Sequence, residues 1–174
     1  MPYPDEELRD DHTAVGFLIS FRCFGTWLHG DARGSVDRFH NVYGTPKLGP
    51  ERARVRYEHK LMTQSPVRLN AQRRAAAERG VKDACQKRGW DLWAVNARTN
   101  HVQAVVTASC NSKKVLSALK AYATKAMRET GSWQSEESPW SFRGSRRSLW
   151  TQQDLYAAID YVVYDQGPPL PKDD

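Results

Sequence analysis

Two neighbouring side chains in the segment 93–107 could bind a metal ion. The segment reads as two β-strands, and the second begins at His101. Because side chains alternate between the two faces of a strand, His101 and Gln103 should point to one face and Val102 to the other. An imidazole and an amide oxygen suit a borderline-to-hard divalent ion such as Mn²⁺ or Mg²⁺. The alternative is that His101 is an ordinary hydrogen-bonded residue of the sheet.

A second candidate for chemistry is Tyr161, in a helix predicted at 152–164. Beside a divalent cation, a tyrosine hydroxyl can attack a phosphodiester, forming a covalent phosphotyrosine and freeing a 3′-hydroxyl. A free phenol is almost fully protonated at neutral pH, so the cation would have to polarise the phosphate and favour the phenolate. Asp165 lies four residues further on the same helix face, and Gln166 lies at the helix end. The alternative is that Tyr161 packs at the helix edge with its hydroxyl in water.

The elements that must position these residues predict an α+β fold. Residues 14–26 read as a first strand, rich in β-branched and aromatic residues. Helices are predicted at about 51–62, 70–88, 112–130 and 152–164. Ser112 is the expected N-cap of the third helix, and Gly89 and Gly131 should end the second and third. The order predicts an antiparallel sheet with helices packed on one face and the His101 strand at its centre.

The chain is expected to form one domain, at 14–167, with a long insertion or loop at about 27–66. Residues 1–13 would be an N-terminal extension and 168–174 a C-terminal tail, whose acidic end from Lys172 is expected to be frayed. The three cysteines form no CxxC pair, which argues against a cysteine zinc site and a disulfide framework. The absence of a long apolar run and the acidic start of the sequence favour the cytoplasm.

The net charge of +6 and the pI of about 9.3 favour an anionic partner, most often nucleic acid. The basic side chains that could contact a phosphate backbone are Lys113, Lys114, Lys120, Arg143, Arg146 and Arg147. The candidates for stacking on unpaired bases are Trp27, Trp133, Trp140 and Trp150. The alternatives are a solvated basic loop for the arginines and core packing for the tryptophans.

Together these features resemble the HUH single-strand transposases, in particular the REP-associated tyrosine transposases and their relatives. The similar residues are NHVQ at 100–103, the following lysine-rich helix, and AIDYVVYDQG at 158–167. FGTWLHGD at 24–31 and LKAYAT at 119–124 are similar too, and the resemblance runs from about 17 to 167. It implies a ferredoxin-like (RRM-like) fold, a homodimer, and metal-dependent nicking and rejoining of single-stranded DNA hairpins through a 5′-phosphotyrosine.

The resemblance also implies roles for single residues. His101 matches the first metal histidine, Gln103 takes the place of the second, and Tyr161 matches the nucleophile. Gln166 or Asp165 falls near the polar ligand that follows the tyrosine, and the spacing does not decide between them. A neutral amide is a weaker ligand than imidazole for first-row metals, so we expect lower affinity or a different metal preference. Some related replication-initiator nucleases resemble this His-hydrophobe-Gln pattern and remain active.

Two functions follow from this sequence. The first is an active endonuclease and strand transferase on single-stranded DNA. The second is a domesticated protein that binds DNA hairpins with a weakened or inactive metal site. An RNA-binding module with an RRM-like sheet is a third class, but the sequence lacks the aromatic strand signature expected of it.

Overall fold

The computed structural model describes residues 13–26, 52–62 and 64–174. The elements are β1 (Gly16–Arg22), α1 (Arg52–Leu61), α2 (Ala71–Arg88), β2 (Asp91–Ala97), β3 (His101–Thr107), α3 (Ser112–Glu129), β4 (Ser145–Leu149) and α4 (Gln152–Tyr164). Trp27, most of the expected insertion and nearly all of the expected N-terminal extension lie outside the described residues. None of the helices in the described ranges is long and apolar enough to cross a membrane.

Within these ranges, four strands form one antiparallel sheet in the order β2-β3-β1-β4. With α2 between β1 and β2 and α3 between β3 and β4, this is the β-α-β-β-α-β arrangement of ferredoxin-like folds. The α+β prediction is confirmed, and so is the position of the His101 strand inside the sheet. The register of β2 on β3 shifts between Leu92 and Ala94, and Trp93, which lies at this irregularity, is 48% exposed.

The two faces of the sheet contact different helices. Val102, Ala104 and Val106 belong to a large apolar core that also contains residues of α2 and α3. Val105 belongs to a second, smaller cluster with residues of α4. Because successive residues of a strand point to opposite faces, α2 and α3 share one face and α4 lies on the other. The expectation of helices on one face therefore applies to α2 and α3.

Local signals in the sequence fix the ends of α2 and α3. Asn70 caps α2, since its side chain accepts a hydrogen bond from the Arg73 N–H, and Gly89 ends the helix with φ of 66°. The cap of α3 is Asn111 and not Ser112, because the Asn111 side chain accepts from the Lys114 N–H. Ser112 is instead the buried first residue of the helix.

A capping box starts α4. The Thr151 hydroxyl oxygen accepts from the Asp154 N–H at 3.0 Å, and Asp154 Oδ2 accepts from the Thr151 N–H at 3.1 Å. These two bonds satisfy backbone donors that a helix start leaves unpaired. Leu155, Ala158 and Val162 then form the buried stripe of the helix against the sheet.

The C-terminal tail is docked, so the expectation of a frayed end was wrong. Asp174 accepts hydrogen bonds from the Arg74 guanidinium at 2.9 Å and from the Ala71 N–H at 2.7 Å. Arg74 is only 7% exposed, and a charge buried to this degree requires a partner. Arg98 also donates to the Pro168 carbonyl at 3.0 Å. The tail is thus bonded at both ends to the body of the domain.

The sequence prediction missed β4, since residues 139–147 read as a basic loop. The strand is short, lies at the sheet edge and buries only Leu149, so it lacks the apolar alternation that marks a strand. Arg147 shares the face of Leu149, which packs with α4, and Arg146 points to the opposite face.

Candidate functional site

Polar side chains cross the sheet on the face that contacts α4. His101 and Gln103 share this face with Val105, which packs in the α4 cluster. The cross-strand partners of Gln103 are Ser20 in β1 and Asn96 in β2. Directly opposed residues of neighbouring strands point to the same face, so a polar row lies beside the apolar contacts of α4.

Gln166 joins the last turn of α4 to His101. Its Oε1 atom lies 3.1 Å from His101 Nε2, and its Nε2 donates to the Tyr161 carbonyl oxygen at 3.1 Å. The other ring nitrogen, His101 Nδ1, lies 2.7 Å from Asn100 Oδ1. The structure therefore brings together His101, Gln166 and the helical turn of Tyr161.

These contacts surround His101 with acceptors, although a neutral imidazole can donate only one hydrogen bond. If Nδ1 donates to Asn100, then Nε2 and the Gln166 oxygen both present lone pairs to the same space. Metal-binding histidines usually donate their second ring nitrogen to an oxygen in this way. The arrangement fits a cation held by His101 Nε2 and Gln166 Oε1.

Gln103 supplies a third candidate ligand. The residue is 8% exposed, and its buried Oε1 has no hydrogen-bond partner among the described residues. A buried unsatisfied acceptor costs about 1–3 kcal/mol. A cation would satisfy this oxygen, and oxygen ligands are those preferred by Mg²⁺. In the described part of the chain, no group of three or more His, Cys, Asp and Glu side chains could hold a metal ion, so the site depends on amide oxygens.

Burial lowers the pKa of His101 below its ordinary value of 6.5. The positive charges of Arg22 and Arg98 lower the pKa further, while the hydrogen bond to Gln166 opposes the shift. The imidazole is therefore neutral at physiological pH, which is the form that binds a metal.

Tyr161 flanks the buried stripe of α4 and is 42% exposed. Its carbonyl oxygen also accepts from the Asp165 N–H at 3.1 Å, because Asp165 is the C-cap of the helix. Asp165 is an exposed residue, whereas Gln166 makes the contact with His101. Of the two ligands that the spacing left open, the geometry favours Gln166.

The same contacts also have a structural explanation. Asn96 Nδ2 donates to the Val162 carbonyl oxygen at 3.0 Å, next to the carbonyl that Gln166 contacts. Asn96, His101 and Gln166 thus hold the last turn of α4 on the sheet. This role accounts for Asn96, but it leaves the buried oxygen of Gln103 unsatisfied.

The six predicted phosphate contacts do not form one surface. Lys113 and Lys114 are exposed at the start of α3, close to Arg146, whose guanidinium donates to the Ser112 hydroxyl at 3.3 Å. Arg147 lies on the other face of the sheet, and Arg143 is exposed before β4.

Lys120 differs from the other five basic residues. Its ammonium donates to the carbonyls of Ser141 at 2.7 Å and Arg143 at 2.9 Å, and burial lowers its pKa. These bonds tie α3 to the segment before β4. The geometry therefore favours a structural role for Lys120 over a phosphate contact.

Two of the three candidate tryptophans among the described residues are core residues. Trp133 and Trp140 are 7% and 3% exposed, and Trp140 packs edge-to-face on Phe21 with ring centroids 4.8 Å apart. Trp150 is half-buried. Trp133 and Trp140 therefore pack in the core, which was the alternative to base stacking.

No protein-family model matches the sequence, and no curated protein sequence matches it. Among solved structures, the chain is similar to a REP-associated tyrosine transposase bound to a REP hairpin. The TM-score is 0.46 and the sequence identity 10%, over 88% of this chain and 68% of that chain.

Proposed function

We propose that this protein is a metal-dependent nuclease that nicks and rejoins single-stranded DNA at hairpins, with Tyr161 as its nucleophile. The observation that supports this most is the contact between Gln166 and His101, beside the buried oxygen of Gln103. It puts two candidate ligands next to the helical turn that contains Tyr161, and Gln103 lies on the same sheet face as His101. The motifs at 100–103 and 158–167 that resemble the HUH transposases are the residues that meet here.

His101, Gln103 and Gln166 would hold Mg²⁺ or Mn²⁺, and Asp165 is the further candidate at the helix end. Bound there, the cation would withdraw charge from a phosphodiester oxygen and make the phosphorus more open to attack. The protein's own contribution is to keep His101 neutral and oriented. Asn100 orients the imidazole through the hydrogen bond at His101 Nδ1.

In the proposed reaction, the Tyr161 hydroxyl oxygen bonds to phosphorus and the bond between phosphorus and the 3′ oxygen breaks. The phenol proton passes to solvent, and the released 3′ oxygen takes a proton from solvent. The product is a 5′-phosphotyrosine and a free 3′-hydroxyl. Attack by a 3′-hydroxyl on the phosphotyrosine reverses these changes and rejoins the strand, with no external energy source.

The test is covalent capture of DNA. A hairpin oligonucleotide with a single-stranded extension, labelled at its 3′ end, is incubated with the protein and Mn²⁺ or Mg²⁺ and separated under denaturing conditions. We expect a labelled protein–DNA adduct that EDTA prevents. Tyr161→Phe should abolish the adduct, a loss of at least about a thousandfold, because phenylalanine has no nucleophilic oxygen.

Two other tyrosines of α4 provide matched controls. Tyr156 and Tyr164 are 61% and 75% exposed, so they are more accessible than Tyr161. Tyr156→Phe and Tyr164→Phe should form the adduct at the wild-type level. If Tyr164→Phe abolishes it and Tyr161→Phe does not, the nucleophile has been assigned to the wrong residue.

A non-catalytic hairpin-binding protein is the second candidate function. It is favoured by the amide-rich ligand set, since the described residues offer only one histidine at the site. In this case the hairpin binds but forms no adduct with either metal, and Gln103→His does not produce one. Formation of an adduct by Gln103→His alone would show a site that is intact but too weak for its metal.

A further inference from the structure

We infer that Phe142 stacks on an unpaired base of a bound nucleic-acid strand, while Arg143 beside it contacts the phosphates of that strand. The inference rests on the proposed function for the strand being DNA. It concerns binding, however, and can be tested with metal absent. Phe142 is not among the aromatic residues that the sequence offered for base stacking.

The Phe142 ring lies almost entirely in water. The residue is 92% exposed, the largest value among the exposed large hydrophobic residues that the structure describes. Single apolar residues on a protein surface are common, so exposure alone does not indicate a binding site. Phe142 differs from an ordinary surface residue in the way its backbone is held.

Phe142 lies in a bulge at the edge of the sheet. The chain is paired along β1 at Ser20–Ser145 and just beyond it at Cys23–Trp140. Between these two pairs, the four residues 141–144 are opposite only the two residues 21–22. Because the extra residues have no partners across the pair, the backbone must project from the sheet here. Phe142 and Arg143 are the two exposed residues of this projection.

Contacts with α3 and β1 fix the backbone of the bulge. The Lys120 ammonium donates to the carbonyls of Ser141 at 2.7 Å and Arg143 at 2.9 Å, on both sides of Phe142. At the end of the bulge, a Cβ atom on Gly144 would lie 2.8 Å from a carbonyl oxygen of β1, so the two backbones pack closely. The ring is thus presented to solvent by a fixed backbone, which reduces the entropy lost when it binds.

The surroundings of the ring are positively charged. The Arg143 guanidinium lies 5.9 Å from the centroid of the Phe142 ring. Residues 139–150 contain three arginines and no acidic residue, and α3 contains no acidic residue before Glu129. The phosphates of a nucleic-acid strand are complementary to such a surface.

One aromatic ring among positive charges fits a nucleic-acid strand better than a protein or a membrane. Phe142 is the only exposed large hydrophobic residue between Trp93 and Tyr156, a range that the structure describes completely. A protein interface or a lipid surface needs a contiguous apolar area formed by several side chains. A base needs only one flat aromatic face, and the charges beside that face attract its phosphates.

The bulge is close to the proposed cation site. The Ser141 N–H donates to the Arg22 carbonyl at 2.9 Å, and Arg22 is in turn the cross-strand partner of His101. Neighbouring strands are about 4.8 Å apart, so the bulge begins about 10 Å from His101. One single strand can therefore contact both places. The stacked base is expected within a few nucleotides of the bond that is cut.

The experiment measures binding of a fluorescein-labelled DNA hairpin with a single-stranded thymidine extension, by anisotropy in EDTA. A second hairpin has the same stem and an abasic extension, which keeps the phosphates but has no bases. Phe142→Ala should weaken binding of the thymidine hairpin about tenfold, a typical loss for one base–aromatic stack. It should leave binding of the abasic hairpin within about twofold, because that extension offers no base to stack on.

Two further substitutions of Phe142 separate stacking from a general apolar contact. Phe142→Tyr keeps a flat ring and should bind both hairpins like the wild type. Phe142→Leu keeps an apolar side chain but has no ring, so it should resemble Phe142→Ala. If Phe142→Ala weakens binding of both hairpins equally, or of neither, the inference is overturned.

Arg143 and Tyr156 provide the charge test and the matched control. Arg143→Gln should weaken binding of both hairpins and lower the slope of log affinity against log salt by about 0.7, the value for one single-strand phosphate contact. Tyr156 is 61% exposed on α4, which begins after Leu149 at the opposite end of β1 from the bulge. Tyr156→Ala should leave binding of both hairpins within about twofold.

The outcome is distinguishable from failure of the nuclease proposal. A loss in Phe142→Ala that requires the bases, in a protein that never forms an adduct, supports stacking and overturns the nuclease. An adduct that forms normally while Phe142→Ala binds both hairpins like the wild type overturns stacking alone. Wild-type protein that binds neither hairpin in EDTA overturns stacking, and the adduct assay with metal then decides the nuclease by itself.

Discussion

The two faces of the sheet are built from the same strands but differ in chemistry. On the face that contacts α2 and α3, β3 contributes Val102, Ala104 and Val106, which are all fully buried in an apolar core. On the face that contacts α4, the same strand contributes His101 and Gln103 before it reaches Val105. Among the described residues, only the second face has polar side chains at the centre of the sheet.

The two faces therefore contribute differently to stability, and the polar face contains the residues of the proposed site. Apolar burial favours folding by about 25 cal/mol per Å². A buried amide oxygen without a partner opposes folding, and Gln103 has such an oxygen among the described residues. A residue that costs stability, on the same sheet face as a neutral histidine, supports the site proposed above.

The largest effect is expected where α2 and α3 touch on the apolar face. A Cβ atom at Gly80 would overlap the Tyr122 carbonyl oxygen and lie 2.7 Å from Ala123 Cα, both on the neighbouring helix. Gly80→Ala should lower the free energy of unfolding by about 3 kcal/mol, measured by urea denaturation, because the helices must move apart.

Whether Gly80→Ala lowers or raises the free energy of unfolding tests the close contact between α2 and α3. At an unobstructed helix position, glycine to alanine raises stability by up to about 1 kcal/mol. A more stable Gly80→Ala protein would therefore show that the two helices are not in close contact here. Mn²⁺ affinity of the folded variant should stay at the wild-type level, since the proposed metal ligands lie on the other face.

The opposite behaviour is expected for Gln103 on the α4 face. Gln103→Met keeps the side-chain length but removes the unsatisfied oxygen, so the free energy of unfolding should stay level or rise by about 1 kcal/mol. Mn²⁺ affinity, measured by titration calorimetry, should fall about tenfold, which is 1.4 kcal/mol. Gln103→His is the control in the other direction and should strengthen binding, because imidazole is the better ligand for Mn²⁺. Unchanged affinity in both variants would remove Gln103 from the site.

The sequence predicted one face of the sheet better than the other. The three- and four-residue spacing of Val115, Leu119 and Ala123 predicts that they form the buried side of α3, and all three are buried in the structure. Strand alternation likewise put His101 and Gln103 on one face. On α4, the apolar spacing predicts a buried stripe of Leu155, Ile159, Val162 and Val163, but Val163 is 48% exposed and Ala158 is buried instead.

The parts that could not be predicted depend on contacts between distant segments. The choice between Asp165 and Gln166 required the position of the helix end relative to His101, which spacing does not give. Arg22 and Arg98 flank His101 only because of strand register. Register is set by the whole sheet, so neither residue stands out in the sequence. The docked tail likewise depends on the pairing of Asp174 with Arg74, which are far apart in the chain.

The smallest expected effect is a pH dependence of the free energy of unfolding that comes from His101 on the α4 face. Burial and the neighbouring arginines hold the pKa of His101 below 6.5 in the folded protein. At a pH between the His101 pKa of the unfolded chain and the lower pKa of the folded protein, the unfolded chain binds more protons. The free energy of unfolding therefore falls as the pH falls through this window, and it loses nothing to His101 above the window. His101→Gln should remove this component from a series of urea titrations between pH 7 and pH 5. The other histidines cancel in the difference between wild type and variant. Mn²⁺ should enlarge the wild-type slope, because the metal binds only the neutral imidazole, and should leave the slope of His101→Gln unchanged. A wild-type slope that Mn²⁺ does not change would mean that His101 only holds α4 in place.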